Sequence, residues 1–541
     1  MMHQAARSPG VRSCDPALLL AFLLPVFAWA PLTYPGYFVF RSGFLPVFNL
    51  ADFLAHLGDW RWAPVIGRGH DLLRGEHILP YLLGALPAML GATPAAATKL
   101  VFALSLLAAS VGMYGWARRR LGNWPALVAA MAYICSPIAL VTIFGRGALG
   151  EAVLLGLAPW ILWSVDASLS GARLAAIGLV AGVAGALWTQ AGLTLWLLAV
   201  LLAYILTIVP GDATRVVRRA QASAALLVGL ATGVLGLLPA FLSKGFGGAT
   251  PVDFLGQFMG LHEIVGMSEQ SMAPGLGLGV IATGLALFAF LMPSPRSLSQ
   301  DSFEVTQVSE LRRTRNFVLV VVVLLVFLSV SLSAPLWRGL PFLVRTLTYP
   351  WQLLLLAGPW LAWLAGLGVR RLGVLLSPSA QMAAVAPLLA GVLALVVLEA
   401  YVDLRPLTTA EPTGRAPLAI YGDNEIALLS VETEGVPVPG GRVALEVHWQ
   451  ALRPLAHDYT VFFHVVAADE QRYAQHDGMP QDAQLPTTHW LPGEIVVDRY
   501  EAVVSPDAPP GSDYRYWLGW YLGETGERVV AGEDDKYVVT P

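Results

Sequence analysis

Charge is scarce in this sequence. Of its 541 residues, 13% are Asp, Glu, Lys or Arg and 56% are hydrophobic. Soluble domains carry about twice that share of charge, so a soluble globular enzyme, a disordered chain and a nucleic-acid-binding tail are excluded. Cysteine is almost missing. Cys14 and Cys135 are the two present, too few for a disulfide framework or a zinc site. No Walker loop stands in the sequence, nor a GxGxxG between strand and helix.

What is present is a succession of apolar runs. Stretches long enough to cross about 30 Å of hydrocarbon fall near 17–33, 97–116, 124–143, 149–166, 174–189, 191–209, 221–243, 275–293, 316–334, 350–368 and 382–401. The first follows Arg7 and Arg12 like a signal peptide, but the runs behind it make it a retained span. Segment 78–92 has two prolines and reads as re-entrant or interfacial. With 11 spans and a cytoplasmic N-terminus, inner segments collect Arg118, Arg119, Arg120, Arg173, Arg215, Arg218, Arg219, Arg296, Arg312, Arg313, Arg315, Arg370 and Arg371. Counting 78–92 as a span would put Arg118–Arg120 outside.

Charge divides the chain. Residues 1–402 hold 24 Lys and Arg against 15 Asp and Glu, whereas 403–541 hold 9 against 22. The expected organisation is a multi-span membrane domain over 1–402 with a large first outer loop (about 34–96), a linker over 403–416, and an extracytoplasmic domain over 417–541. In that last part Val443, Leu445, Val447 and Trp449 alternate with Ala444, Glu446, His448 and Gln450, the period of a half-buried strand. Similar runs at 459–466, 495–504, 514–522 and 535–540, with Gly- and Pro-rich turns between, predict an all-β sandwich. Trp449, Trp490, Trp517 and Trp520 read as core more readily than as sugar platforms. His464, His476 and Asp477 lack ligand spacing and read as ordinary hydrogen-bonded residues.

The first outer loop is the most informative stretch. Over 49–60, helical spacing puts Asp52, His56 and Asp59 on one side and Leu50, Phe53, Leu54, Leu57 and Trp60 on the other. Such a helix lies along the membrane surface. Its polar side can supply a general base with an orienting partner, hold a divalent cation, or simply be the wet face of an interfacial helix. Arg61 and Arg68 follow, with Arg74, Trp60 and Trp62; guanidinium groups bind phosphate through paired donors, or pair here with Asp59, Asp71 and Glu76. In the turn between the third and fourth spans, Arg146 and Glu151 either pair with each other or complete a site roofed by the loop.

Several landmarks together resemble the bacterial membrane proteins labelled 6-pyruvoyl-tetrahydropterin synthase-related. They are the acid-and-His stretch 49–60, Arg61-Trp62-Ala63-Pro64, Tyr81, the turn Arg146 to Glu151, and Tyr349-Pro350-Trp351. That family is similar to the GT-C glycosyltransferases, in which a first outer loop carries a catalytic acid and a polyprenyl phosphate carries the sugar. The resemblance implies Asp52 as the acid, with Asp59 second, and a glycan, lipid or protein acceptor. Two departures stand out: Trp188-Thr189-Gln190 occupies a place where relatives often have His, and Gln352 one where Arg is common. The functional expectation is a bacterial membrane glycosyltransferase with Asp52, His56 and Asp59 catalytic and Arg61, Arg68, Arg146 and Glu151 on the donor phosphate. No soluble cofactor or nucleic-acid partner is implied. The alternatives are a membrane scaffold or lipid-binding protein displaying the β-domain and a transporter or flippase, against which stands the scarcity of charges inside the spans.

Overall fold

The computed structural model describes residues 15–33, 45–55, 78–208, 213–244, 254–264, 277–291, 302–374, 390–395, 417–422, 425–452, 455–490, 495–511, 513–531 and 534–540. Helices fill the first part. Asp15 caps α1 (Pro16–Leu23) by accepting from the Ala17 N–H at 3.2 Å, with Pro16 at the first helical position. The chain continues through α2 (Val26–Trp29) and a 3-10 turn to Thr33. Next come α3 (Leu45–Ala55), α4 (Ile78–Met89) and α5 (Pro94–Leu121), the last capped by Thr93. Then α6 (Asn123–Ile134) and α7 (Pro137–Leu140) lead through a π-turn (Val141–Gly145) to α8 (Leu149–Leu169). The bundle continues with α9 (Arg173–Leu187), α10 (Ala191–Ile208), α11 (Ala213–Lys244), α12 (Leu261–Ile264) and α13 (Val280–Leu291). It closes with α14 (Ser302–Ser329), α15 (Ala334–Gly339), α16 (Pro341–Val344) and α17 (Leu353–Val374).

Close approaches fix the helix directions. A Cβ on Gly156 would meet the Ser105 backbone, and one on Gly112 would meet Trp160, so α5 and α8 run parallel. Gly182 faces Ile161 and Gly185 faces Leu157, which makes α9 antiparallel to α8. Asp15, ahead of α1, accepts from Tyr114 at 2.7 Å and Arg118 at 3.0 Å near the end of α5, so α1 is antiparallel to α5. The bundle therefore has two ends. One gathers Asp15, Arg118–Arg120, Asp166 and Arg370 and is the basic end. The other holds the start of α8 with Glu151.

Segment 78–92 does not cross the bundle. The Leu79 N–H donates to the Trp188 carbonyl at 3.0 Å, and a short turn joins α4 to the start of α5. Both contacts lie at the Glu151 end, in keeping with the re-entrant or interfacial expectation.

The count of 11 spans is not reached among the described residues. Six helices are long and apolar enough to cross a membrane, or seven if α6 and the α7–π-turn segment, bent by 50°, count as one. The expected spans at 174–189 and 275–293 are helices of 15 and 12 residues. The first stops where Trp188 turns into Thr189 and Gln190. The second starts late because residues 277–279 are not helical: Gly277 accepts from the Ile138 N–H, Leu278 donates to the Ile264 carbonyl, and Gly279 sits at φ 93°. At 382–401 only residues 390–395 are described.

The strands form two antiparallel sheets. One is ordered β1 (Ala419–Tyr421), β2 (Ile426–Glu434), β3 (Arg442–Ala451), β6 (Ile495–Val503). In the other, β5 (Arg472–Gly478), β4 (Tyr459–Val466) and β7 (Arg515–Leu522) are followed by β8 (Arg528–Val529) and β9 (Tyr537–Val539), both paired to β7. Trp449 of β3 packs edge-on against Trp520 of β7 at 4.7 Å, and the Tyr421 hydroxyl donates to the Leu518 carbonyl at 2.9 Å. Those contacts join the sheets into a sandwich. Trp449, Trp490 and Trp520 are buried core, as expected, while Trp517 is half-buried beneath Lys536.

Candidate active site at the Glu151 end

The turn between α7 and α8 is built to return a side chain onto its own helix. Five consecutive residues wind as a π-turn, a rare form that recurs at functional positions. The Arg146 N–H then donates to the Val141 carbonyl at 2.8 Å, and Ala148 to Thr142 at 2.9 Å. Gly147 sits at φ 61°, a left-handed conformation that glycine adopts at little cost. Three residues thus reverse the chain, and Arg146 folds back to Glu151 in the first turn of α8.

The pair is bidentate. Arg146 Nη2 donates to Glu151 Oε1 at 2.9 Å, and Nη1 donates to Oε2. Glu151 is 2% exposed and Arg146 19%. Placing the carboxylate in the first turn of α8 also sets it against the positive end of the helix dipole. A third partner arrives from far along the chain: Gln352 Nε2 donates to Glu151 Oε1 at 2.6 Å. The Gln352 carbonyl oxygen in turn accepts from the backbone N–H groups of Thr348 and Tyr349 at 2.9 and 3.0 Å. Gln352 therefore ties the entry of α17 to the acid of α8.

Aromatic rings line the cation. Tyr349 and Trp351 stack nearly parallel, 4.9 Å between centroids. The Arg146 guanidinium carbon lies 4.5 Å from the Trp351 centroid and 6.0 Å from that of Tyr349. Such a cation–π contact contributes about 0.5–2 kcal/mol, more when desolvated. The arrangement holds a positive charge at a fixed place with one planar face against a ring, chemistry suited to a phosphate or a sugar-phosphate.

Of the two readings left open for Arg146 and Glu151, the structure shows the pairing, while their expected place on a donor phosphate is taken up under the proposed function. Of the helix expected over 49–60, residues 49–55 are described; they belong to α3, which packs against α4 and α5, and 56–60 lie outside the described residues. Val47, Leu50 and Phe53 are buried in protein, Leu50 lying against Gly84, and the Asn49 amide donates to the Tyr81 hydroxyl at 3.0 Å. Apolar periodicity marks a covered face without saying whether lipid or protein covers it. Asp52 is in α3, although its side chain lies outside the described residues, as do His56, Asp59, Arg61 and Arg68. Through Asn49–Tyr81 and Leu79–Trp188, α3 is tied to the end of the bundle that holds Glu151. Among the described residues, no three His, Cys, Asp or Glu come together as a metal site.

Gln352 was singled out in the sequence only as a departure, yet it is the third member of the cluster. In the sandwich, His464 Nε2 and Asp477 Oδ1 do meet, at 3.3 Å, while His476 turns to the Glu501 carbonyl.

No family model matches the chain, and no curated protein matches it. The resemblance to the 6-pyruvoyl-tetrahydropterin synthase-related proteins therefore gains no support. Among the solved structures similar to this chain are two membrane proteins. ArnT from Cupriavidus metallidurans, bound to undecaprenyl phosphate, is 18% identical with a TM-score of 0.43, over 70% of this chain and 64% of that one. Arabinofuranosyltransferase AftD from Mycobacteria is 18% identical with a TM-score of 0.46, over 75% of this chain and 27% of its own. Both scores are below 0.5. At that level the likenesses assign neither fold nor activity, and the chain spans less than two thirds of each of these two structures.

Proposed function

We propose that the protein is a GT-C-type membrane glycosyltransferase that moves a sugar from a polyprenyl-phosphate donor to an acceptor hydroxyl at the Glu151 end. The observation that carries this reading is the fixed Arg146 guanidinium, braced by Glu151 and Gln352 against the Tyr349–Trp351 stack, at the end to which the Asp52-bearing helix is tied. The acceptor hydroxyl loses its proton to the Asp52 carboxylate. Its oxygen bonds to the anomeric carbon as the bond from that carbon to the phosphate oxygen breaks, and the lipid phosphate leaves with the electron pair. Arg146, with Arg61 and Arg68, offsets the charge that grows on that phosphate. His56 or Asp59 orients Asp52 or shares a divalent cation with it.

Orientation follows from charge. Arg118–Arg120, Arg173, Arg218 and Arg370 lie at the basic end, so that end faces the cytoplasm and the Glu151 end faces outward. Because α17 ends at the basic end, the expected span over 382–401 crosses once more and leaves residues 417–541 as an extracytoplasmic domain on a bacterial cell membrane. The scaffold reading differs in one outcome. Envelope lipids and glycans are compared by mass spectrometry in wild type, a deletion, and the deletion carrying Asp52→Asn at equal membrane abundance. A sugar-sized mass missing from both mutant strains supports transfer. A mass restored in full by Asp52→Asn removes the base and favours the scaffold.

A further inference from the structure

We propose that the start of α10 is a seat for a phosphoryl group, built from the N–H groups of Ala191, Gly192 and Leu193 and the side-chain amide of Gln190. The first N–H groups of a helix have no partner within it, and a buried start must find partners elsewhere. In α10 the first helical bond runs from the Thr194 N–H to the Gln190 carbonyl at 3.0 Å. Among the described residues, nothing accepts from the N–H groups of Ala191, Gly192 or Leu193. All three residues are buried, Ala191 and Leu193 at 2% exposed. Elsewhere the chain meets this need with its own oxygens: Asp15 caps α1, Thr93 caps α5, and α8 carries Glu151 in its first turn.

A second observation at the same place points to a ligand. Gln190 precedes the helix, at the position from which a side chain reaches the N–H groups of the second and third helical residues. Its backbone is satisfied, the N–H donating to Ala186 and the carbonyl accepting from the Thr194 N–H and hydroxyl. Its side-chain amide is not. Gln190 is 5% exposed, and among the described residues that amide has no hydrogen-bond partner. Depth makes this costly. Counted from Arg173 at the basic end, the 15 residues of α9 rise about 22 Å against roughly 30 Å of hydrocarbon, so α10 starts inside that layer. Three backbone N–H groups and the two of the amide, at the positive end of a helix dipole, suit the several oxygens of a phosphate. Gly192 has no side chain to block close approach to its N–H. Two bonds set the place at the Glu151 end. The Trp188 carbonyl accepts from the Leu79 N–H, and Trp196 Nε1 donates to Thr346 Oγ1 at 2.8 Å, just ahead of Tyr349 and Gln352. The seat concerns binding and does not depend on the transfer of a sugar.

The test follows the thermal midpoint of the full chain in mild detergent while decaprenyl phosphate, decaprenol or inorganic phosphate is titrated in. Decaprenyl phosphate is expected to raise the midpoint and decaprenol to leave it unchanged. A rise with inorganic phosphate as well assigns recognition to the phosphoryl group alone, and a rise with the lipid only makes the hydrocarbon part of it. No rise with either phosphate, or an equal rise with decaprenol, overturns the proposal. Gln190→Met keeps the length of the side chain and removes the amide. It should weaken phosphate binding about tenfold or more, the worth of one hydrogen bond to a charged group, without lowering the midpoint of the unliganded protein. Full binding in Gln190→Met overturns the proposal, because the phosphate then sits elsewhere. A lower unliganded midpoint also overturns it, because the amide is then structural. Gln190→Glu sets a carboxylate over the same N–H groups, so it should raise the unliganded midpoint and abolish the phosphate response. A fall in that midpoint leaves no place for an anion there and counts against the seat.

Discussion

Two arginine–carboxylate pairs stand at opposite ends of this bundle, and exposure does not tell them apart. Glu151 and Asp166 are each 2% exposed, and Arg146 and Arg120 are 19% and 22% exposed. Their partners differ. Asp166 accepts from Arg120 and Trp116 on α5 and from Tyr204 on α10, so one carboxylate clasps three helices. Glu151 holds Arg146 on a turn and Gln352 at a helix entry, with stacked rings beside the cation. The first pair is architecture. The second joins a turn to a helix entry and, under the proposed function, holds the charge that meets the donor phosphate.

Breaking the architectural pair should have the largest effect. Asp166→Ala strands a buried guanidinium and two further donors; removing one partner of a buried pair costs about 3–5 kcal/mol. Membrane abundance and the thermal midpoint should fall together. Gln352→Ala removes a hydrogen bond to a charged group, worth about 1.5–3 kcal/mol, and leaves the Thr348 and Tyr349 N–H groups without that acceptor. It should lower the midpoint less than Asp166→Ala while reducing sugar transfer more than tenfold at matched abundance, which sharpens the contrast. Trp351→Leu keeps the Glu151 pair and removes the ring under Arg146, about 1 kcal/mol. A smaller drop in both readouts is expected.

The smallest effect lies outside both pairs and is a baseline for acid sensitivity. Burial holds the His464 pKa below its ordinary 6.5, against the opposing pull of Asp477, while Arg472 and Arg528 add to the lowering. The unfolded chain takes up that proton near pH 6.5 and the folded chain resists it. This contribution is therefore fully present above pH 6.5 and is lost as pH falls below it toward the depressed folded value. Thermal midpoints of the sandwich transition should decline in that window, and His464→Gln should flatten the decline.

How much could be read in advance varied with distance along the chain. The bundle and several strands were legible because hydrocarbon thickness and a half-buried sheet each impose a local pattern, as Leu149–Leu169 and Tyr459–Val466 show. Arg146 and Glu151 are five residues apart, so their pairing was also within reach. Gln352 is 201 positions from Glu151, and no local pattern announces such a contact. The same holds for Asn49 with Tyr81 and for Tyr204 with Asp166. That Leu50 and Phe53 of α3 meet protein was not legible, because an apolar face has the same spacing whether lipid or protein lies against it.

The most direct test of the contrast exchanges each arginine for lysine, which keeps the charge and loses the planar two-pronged geometry. Envelope glycans are weighed from deletion strains carrying Arg146→Lys or Arg120→Lys, expressed to equal membrane abundance. Loss of the sugar-sized mass in Arg146→Lys and its retention in Arg120→Lys is the predicted result. Full retention in Arg146→Lys would contradict the placement of the reaction at the Glu151 end.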